Sequence, residues 1–209
     1  MKAVIICDGE LAPKYVIERD LENSSLLIAA DGGAYKAIES GFSPDVIIGD
    51  LDSYIPSGDE KAEIFRDQSQ ETNDLEKALN YARQTSATEV VVFGATGNRL
   101  DHTLKNLSVL LQFNRQFHTI LFKDRYSEIR VIHSPFSEEF PLHTSISLFP
   151  LSGTVEGITT NGLKYPLVNG TLENGVQDGS SNETIKKTVE IEFKKGDLLL
   201  LVNYKTERE

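Results

Sequence analysis

Carboxylates at short, regular spacings are the residues of this chain best suited to chemistry. In VIIGDLDS, residues 46–53, an apolar run ends on Gly49 and delivers Asp50 and Asp52 two positions apart. An Asx-turn with Ser53 as helper accounts for the pair. So does a Mg²⁺ site, because hard cations take carboxylate oxygens and neutralise substrate phosphates. The chain carries 21 Lys and Arg against 32 Asp and Glu, a formal charge of −11. A polyphosphate would meet repulsion here unless a cation stood between. A third carboxylate, Asp74, follows in QETND with Gln70, Thr72 and Asn73, where a helical segment begins. The helix dipole favours a first-turn acid by about 0.3–1 kcal/mol. The same position lets it reach a metal or accept a substrate proton.

The stretch VVFGATGNRLDHTLKNL, residues 91–107, adds a different chemistry. A strand ends at Gly94, a Gly/Thr loop follows, and a helix begins near Arg99 or Leu100. Backbone N–H groups at such a junction hold phosphate oxygens, and Arg99 adds a charged fork. The alternative is a plain strand–helix turn, with His102 and Lys105 on a solvated face. Asn98 tolerates the left-handed backbone such a loop needs. There is no GxxxxGK[ST] and no GxGxxG, so this is neither a P-loop nor a dinucleotide fingerprint. No GxSxG elbow or Cys–His pairing supports a hydrolase. His118, His133 and His143 have no metal-ligand spacing and read as structural.

Strands and helices must hold these groups. AVIICDG (3–9), LLIAADGG (26–33), VIIGDLD (46–52) and EVVVFGATG (89–97) are continuous apolar runs ending in Asp, Gly or Thr. Such runs predict strands buried on both faces, as in a parallel sheet. Helical candidates lie between them: GAYKAIESG with Gly41 as a C-cap, TNDLEKALNYARQ with Thr72 or Asn73 as N-cap, and RLDHTLKNLSVLLQF with Leu100, Leu104, Leu107 and Leu111 on one face. Strand–helix alternation predicts a doubly wound α/β sheet, whose ligands bind beyond the carboxyl ends of the strands. That rim would carry Asp8, Asp31, Gly32, Gly33, Asp50, Asp52, Thr96 and Gly97. From about residue 118 the pattern changes to short strands, HTILFKD, SEIRVIH, SISLFPL, TVEGI, TVEIEF and DLLLLVNY, which predict an antiparallel β-sandwich. The expected domains are residues 1–128, α/β, and 129–209, β.

Composition bounds the partners. The content, 39% hydrophobic and 25% charged, is that of a soluble globular protein. No apolar run reaches the roughly 18–20 residues of a membrane span. MKAVIICDGE is too short in its apolar part for a signal peptide and reads as a first strand. A lone cysteine, Cys7, excludes an internal disulfide framework and suits a reducing cytoplasm. The acidic balance argues against nucleic acid as partner.

The ordered set AADGGA, SPDVIIGDLDS, QETND with LEKAL, GATGNRLDHTLKNL, GLKYPL (162–167) and the SNE of Ser181, Asn182 and Glu183 resembles thiamine pyrophosphokinases over almost the full length. The resemblance implies an N-terminal α/β catalytic domain, a C-terminal β domain that binds thiamine, and a homodimer with active sites built from both subunits. It implies transfer of the β,γ-diphosphate of ATP to the thiamine hydroxyl, giving AMP and thiamine diphosphate. On this basis Asp50, Asp52 and Asp74 would hold Mg²⁺ and organise the attacking hydroxyl. Asp31 with Gly32 and Gly33, and Thr96, Gly97, Arg99, Asp101 and His102, would line the nucleotide site. Gln70, Asn73, Ser181 and Asn182 would contact thiamine. Two positions depart from the family pattern: Asn98 stands where Gly is common, and Asn73 where Thr is common directly before the third carboxylate. The rival readings are a pyrophosphokinase for a pterin-like alcohol and a nucleotide or thiamine sensor without turnover. GLKYPL and SNE speak against the first, and three retained carboxylates against the second.

Overall fold

Aliphatic runs without polar alternation become strands where both faces are covered, and the computed structural model, which describes residues 1–204, has them so. The first compact unit, Met1–Arg125, contains β1 (Lys2–Ile6), α1 (Lys14–Leu21), β2 (Leu26–Ala30), α2 (Gly33–Glu39), β3 (Val46–Gly49), β4 (Glu63–Arg66), α3 (Asp74–Gln84), β5 (Glu89–Phe93), α4 (Leu100–Phe113) and β6 (Thr119–Lys123). Its strands pair in parallel in the order β6-β5-β1-β2-β3-β4. The chain runs outward from β1 through β2 to β4, then returns to the other side of β1 as β5. The strand order therefore reverses between β1 and β5, and the loops leaving their carboxyl ends diverge around a crevice. Val4, Ile5, Ile28, Val90 and Val92 are buried at this centre. Asp20 of α1 adds a buried ionic tie, accepting from Lys2 of β1 at 2.7 Å and Lys123 of β6 at 2.9 Å.

Several elements differ from the sequence expectation. HTILFKD, assigned to the β half, forms β6 and pairs in parallel with β5. Helix α1 and strand β4 have no counterpart in the sequence reading. Helix α1 spans only 8 residues, with Pro13 at its N-cap and no side-chain cap. Strand β4 is a half-exposed edge of 4 residues, so neither shows a long apolar run. In α4 the packed residues are Asn106, Val109, Leu110 and Phe113, whereas Leu100 and Leu104 of the leucine face stand exposed.

The second unit begins at Tyr126. It holds β7 (Ser127–Ile132), β8 (Phe136–Glu139), β9 (Ser145–Pro150), β10 (Val155–Asn161), β11 (Gly170–Leu172), β12 (Gly179–Glu183), β13 (Thr188–Glu192) and β14 (Leu198–Asn203). They form antiparallel layers ordered β12-β9-β14-β7 and β11-β10-β13-β8. Ile146, Leu148, Leu198 and Leu200 from one layer meet Val155, Ile158, Val189 and Ile191 from the other in a common core. This is a β-sandwich with alternating burial along its strands. Ser127 and Glu128 lie in β7, opposite Asn203 and Val202 of β14, and so go with the antiparallel unit. Among the described residues no helix is long and apolar enough to cross a membrane.

Candidate active site

The crevice between the β1 and β5 loops opens into a cleft of about 440 Å³. Asp8 and Gly9 after β1, Asp31 and Gly32 after β2, Ser53 after β3, Asn73 and Asp74 at the start of α3, and Gly97, Asn98, Arg99 and His102 at the start of α4 line it. Every expected site residue of the first unit lies on a loop or helix start that leaves the same ends of these parallel strands.

Three carboxylates converge at the edge of this cleft: the expected Asp50 and Asp74 are joined by Asp31, and of the three only Asp31 and Asp74 line the cleft. Asp31, Asp50 and Asp74 each place an oxygen within 4.8 Å of the other two, and among the described residues no other such group of acids, histidines or cysteines forms. Asp52 stands outside. Its carboxylate accepts from Ser53 Oγ at 2.9 Å, while its backbone N–H donates to Asp50 Oδ1 at 3.3 Å. The Asx-turn is thus made by the Asp50 side chain, and the Asp52 carboxylate lies outside the group of three.

Asp31 is buried and sits in the left-handed region, with φ 42°. The N–H groups of Ser53 and Tyr54 donate to its carboxylate at 3.2 and 3.1 Å, holding it in place. Tyr54 is itself buried against Tyr35, with ring centroids 4.8 Å apart, which anchors the loop that carries Asp52. Burial pushes the Asp31 carboxyl above the ordinary carboxylate value. Asp50 moves the other way: the hydrogen bond from Gln70 Nε2, 3.1 Å from Asp50 Oδ2, holds its carboxyl below that range. Gly49 makes the convergence possible. A Cβ there would lie 2.7 Å from Asp31 Cβ and 3.2 Å from Asp74 Oδ1.

The backbone at Asp74 is fixed by a capping box. Asn73 Oδ1 accepts from Glu76 N and Glu76 Oε2 accepts from Asn73 N, both at 2.9 Å. This is the reciprocal N-terminal arrangement that satisfies two free helix donors. Asn73 Nδ2 also donates to Asn106 of α4, and Asn106 Nδ2 donates to Ala95 O. One chain of amides thus ties α3, α4 and the β5 loop. Lys105 pairs with the buried Glu76 at 2.9 Å.

At the opposite wall Asn98 adopts φ 53°, the left-handed backbone expected of it in this loop. Its Nδ2 donates to Asp8 O at 2.8 Å, tying the β5 loop to the β1 loop. Arg99 forms a two-point fork on Asp101 at 3.1 and 2.6 Å, with both side chains exposed. Thr96 does not line the cleft; its hydroxyl donates to Asp124 at 3.1 Å. Gly33 is structural: a Cβ there would fall 2.1 Å from Ile6 O, so its absence lets α2 start against β1. Cys7 borders the cleft, but burial pushes its thiol strongly up, so it stays protonated.

Ser181 and Asn182 lie in β12 of the second unit. Asn182 spends its amide on the GLKYPL loop, accepting from Tyr165 N at 3.1 Å and donating to Tyr165 O at 2.8 Å. Ser181 is exposed with φ 57°. Gly49, Asn106 and Lys77, whose Nζ is 3.1 Å from Asp74 Oδ1, were missed from sequence. Only Lys77 carried a local signal, its three-residue spacing from Asp74.

The three carboxylates suit a hard divalent cation. They offer only oxygen donors and are close enough to share one ion.

Both halves match known families. "Thiamin pyrophosphokinase, catalytic domain" matches residues 17–122, and "Thiamin pyrophosphokinase, vitamin B1 binding domain" matches residues 130–198. A thiamine pyrophosphokinase of Bacillus subtilis is 28% identical over 96% of this chain and 98% of its own. Thiamine pyrophosphokinase 2 of Arabidopsis thaliana is 28% identical over 88% of this chain and 80% of its own. The crystal structure of the Bacillus subtilis enzyme superimposes with a TM-score of 0.83 at 25% identity, covering 99% of this chain and 100% of that one. With a matching domain on each half, in the same order along the chain, the protein belongs to the thiamin pyrophosphokinase family.

Proposed function

We propose that this chain transfers the β,γ-diphosphate of ATP to the hydroxyl of thiamine, giving thiamine diphosphate and AMP. The observation that carries the reading is the convergence of Asp31, Asp50 and Asp74, of which Asp31 and Asp74 line a cleft whose other wall is the loop and first turn of α4. Asp31, Asp50 and Asp74 would hold Mg²⁺, which when bound neutralises charge on the phosphates. Asp52, two positions beyond Asp50 and exposed, would meet the phosphates from outside that group. The N–H groups at the start of α4 and the Arg99 fork, released from Asp101, take the polyphosphate. Asp31, Gly32, Gly97 and His102 shape the nucleotide site.

The thiamine hydroxyl oxygen attacks the β-phosphorus in line. The new O–P bond forms as the bond from the β-phosphorus to the bridging oxygen breaks, and AMP leaves carrying that oxygen. The hydroxyl proton passes to Asp74 Oδ2. Such a reaction depends chiefly on positioning and charge neutralisation, so no strong base is needed. The acidic rim also suits the thiazolium cation of thiamine. Gln70, on Asp50, and Asn73 border the thiamine side, and Ser181 of the partner subunit in a homodimer completes it, with Asn182 ordering the loop beside it. A single cysteine fits the reducing cytoplasm in which we place the enzyme.

The test is product analysis of purified protein with Mg²⁺, ATP and thiamine. AMP and thiamine diphosphate are expected in equal amounts. ADP as the nucleotide product, or no turnover, overturns the proposal.

A further inference from the structure

Lys77 occupies a place that packing alone does not explain. Its side chain is 3% exposed, and its one ion-pair partner among the described residues is Asp74 Oδ1 at 3.1 Å. Removing an ammonium from water costs several kcal/mol unless its partners compensate fully. Asp74 compensates poorly, since its own side chain is 35% exposed. The other buried lysine, Lys123, is held by Asp20, a carboxylate itself only 10% exposed and remote in sequence. Lys77 instead points its charge at one member of a carboxylate cluster.

We propose that Lys77 is a positioning residue for the cation centre, fixing the Asp74 carboxylate in the orientation that completes the set with Asp31 and Asp50. The inference rests on the reading of those three acids as a metal site. The capping box fixes the backbone at Asp74, leaving its side-chain rotation to be set. Lys77, one helical turn on, engages Oδ1 and so sets that rotation. Gly49 gives Asp74 room, and Lys77 decides how the room is used. The two conceivable roles have opposite signs. As a mere counter-charge, Lys77 would repel an incoming cation, and its loss would tighten metal binding. As a positioning group, its loss loosens binding, as for outer partners of metal ligands, whose removal costs about 10- to 100-fold.

The experiment titrates Mn²⁺ into the full chain, following the paramagnetic signal of the free ion, for the unaltered protein and for Lys77→Met. Circular dichroism checks folding. The Met variant is expected to bind Mn²⁺ about tenfold or more weakly, with kcat lowered and the KM for thiamine unchanged. Unchanged or tighter Mn²⁺ binding overturns the inference. If the Met variant does not fold, Lys77→Arg carries the same test, because it keeps the charge and changes the geometry. Weaker binding is expected; binding equal to that of the unaltered protein overturns the positioning role. If the unaltered protein binds no Mn²⁺, the metal reading itself falls, and this inference with it.

Discussion

At the scale of single residues, the account turns on which carboxylates meet. Asp50→Asn and Asp74→Asn remove donors from the cluster, and turnover is expected to fall roughly a hundredfold or more, a size common for lost electrostatic stabilisation. Asp50→Asn should barely move the melting temperature, since Asp50 is only half-buried, whereas Asp74→Asn leaves the buried Lys77 without its carboxylate and is expected to lower it. Asp52→Asn is expected to retain at least about tenfold more activity than Asp50→Asn, because the Asp52 carboxylate lies outside the group of three and accepts from Ser53 Oγ instead. Equal losses at the two positions would contradict this division of roles. Gly49→Ala would wedge Asp31 from Asp74, costing about 1–3 kcal/mol of stability as overpacking and weakening Mg²⁺ binding by calorimetry. Asp50 and Asp74 were legible in the sequence because each follows a clear strand end or helix start. The membership of Asp31 in the cluster was not. It depends on a residue 43 positions from Asp74 meeting it across Gly49, which no local pattern records.

At the scale of elements, strand ends and helix starts do the positioning. The apolar runs that became β1, β2, β3 and β5 were readable because burial on both faces removes polar alternation. Helix α1 and β4 were unreadable for the opposite reason: one is short and uncapped, the other a half-exposed edge. The register of β6 beside β5 is a tertiary fact that HTILFKD does not carry. Asn98 shows how a side chain can support a left-handed backbone. Its left-handed backbone costs a non-glycine residue about 1–2 kcal/mol, which its hydrogen bond to Asp8 O helps to offset. Asn98→Gly is therefore expected to keep the KM for ATP within about twofold, and Asn98→Ala to raise it severalfold in steady-state assays. Among the ties between elements, the Asp20 bridge has a pH dependence with a definite sign. Burial raises its carboxyl, but the hydrogen bonds from Lys2 and Lys123 outweigh this and leave it below its ordinary value of 3.8. The folded value is depressed, so the tie contributes stability above pH 3.8, and that contribution is lost as pH falls through the lowered folded value. Asp20→Asn, which removes the buried carboxylate that bridges Lys2 and Lys123, should lower the unfolding free energy at pH 7 by about 3 kcal/mol in denaturant titrations.

At the scale of the whole molecule, an acidic chain is proposed to handle a polyanion and a cation together. The carboxylates of the cleft would repel the phosphates of ATP and attract thiamine. One divalent ion among Asp31, Asp50 and Asp74 would reconcile the two. The acid balance, α/β half and β-sandwich half were all legible in the sequence, because composition and hydrophobic period report class directly. The central claim is that diphosphate moves as one unit, which ATP labelled on its γ-phosphate tests most directly. After reaction with thiamine and Mg²⁺, all label lost from ATP is expected in thiamine diphosphate, with unlabelled AMP beside it. Label released as inorganic phosphate or found in thiamine monophosphate, with ADP left behind, would contradict the account.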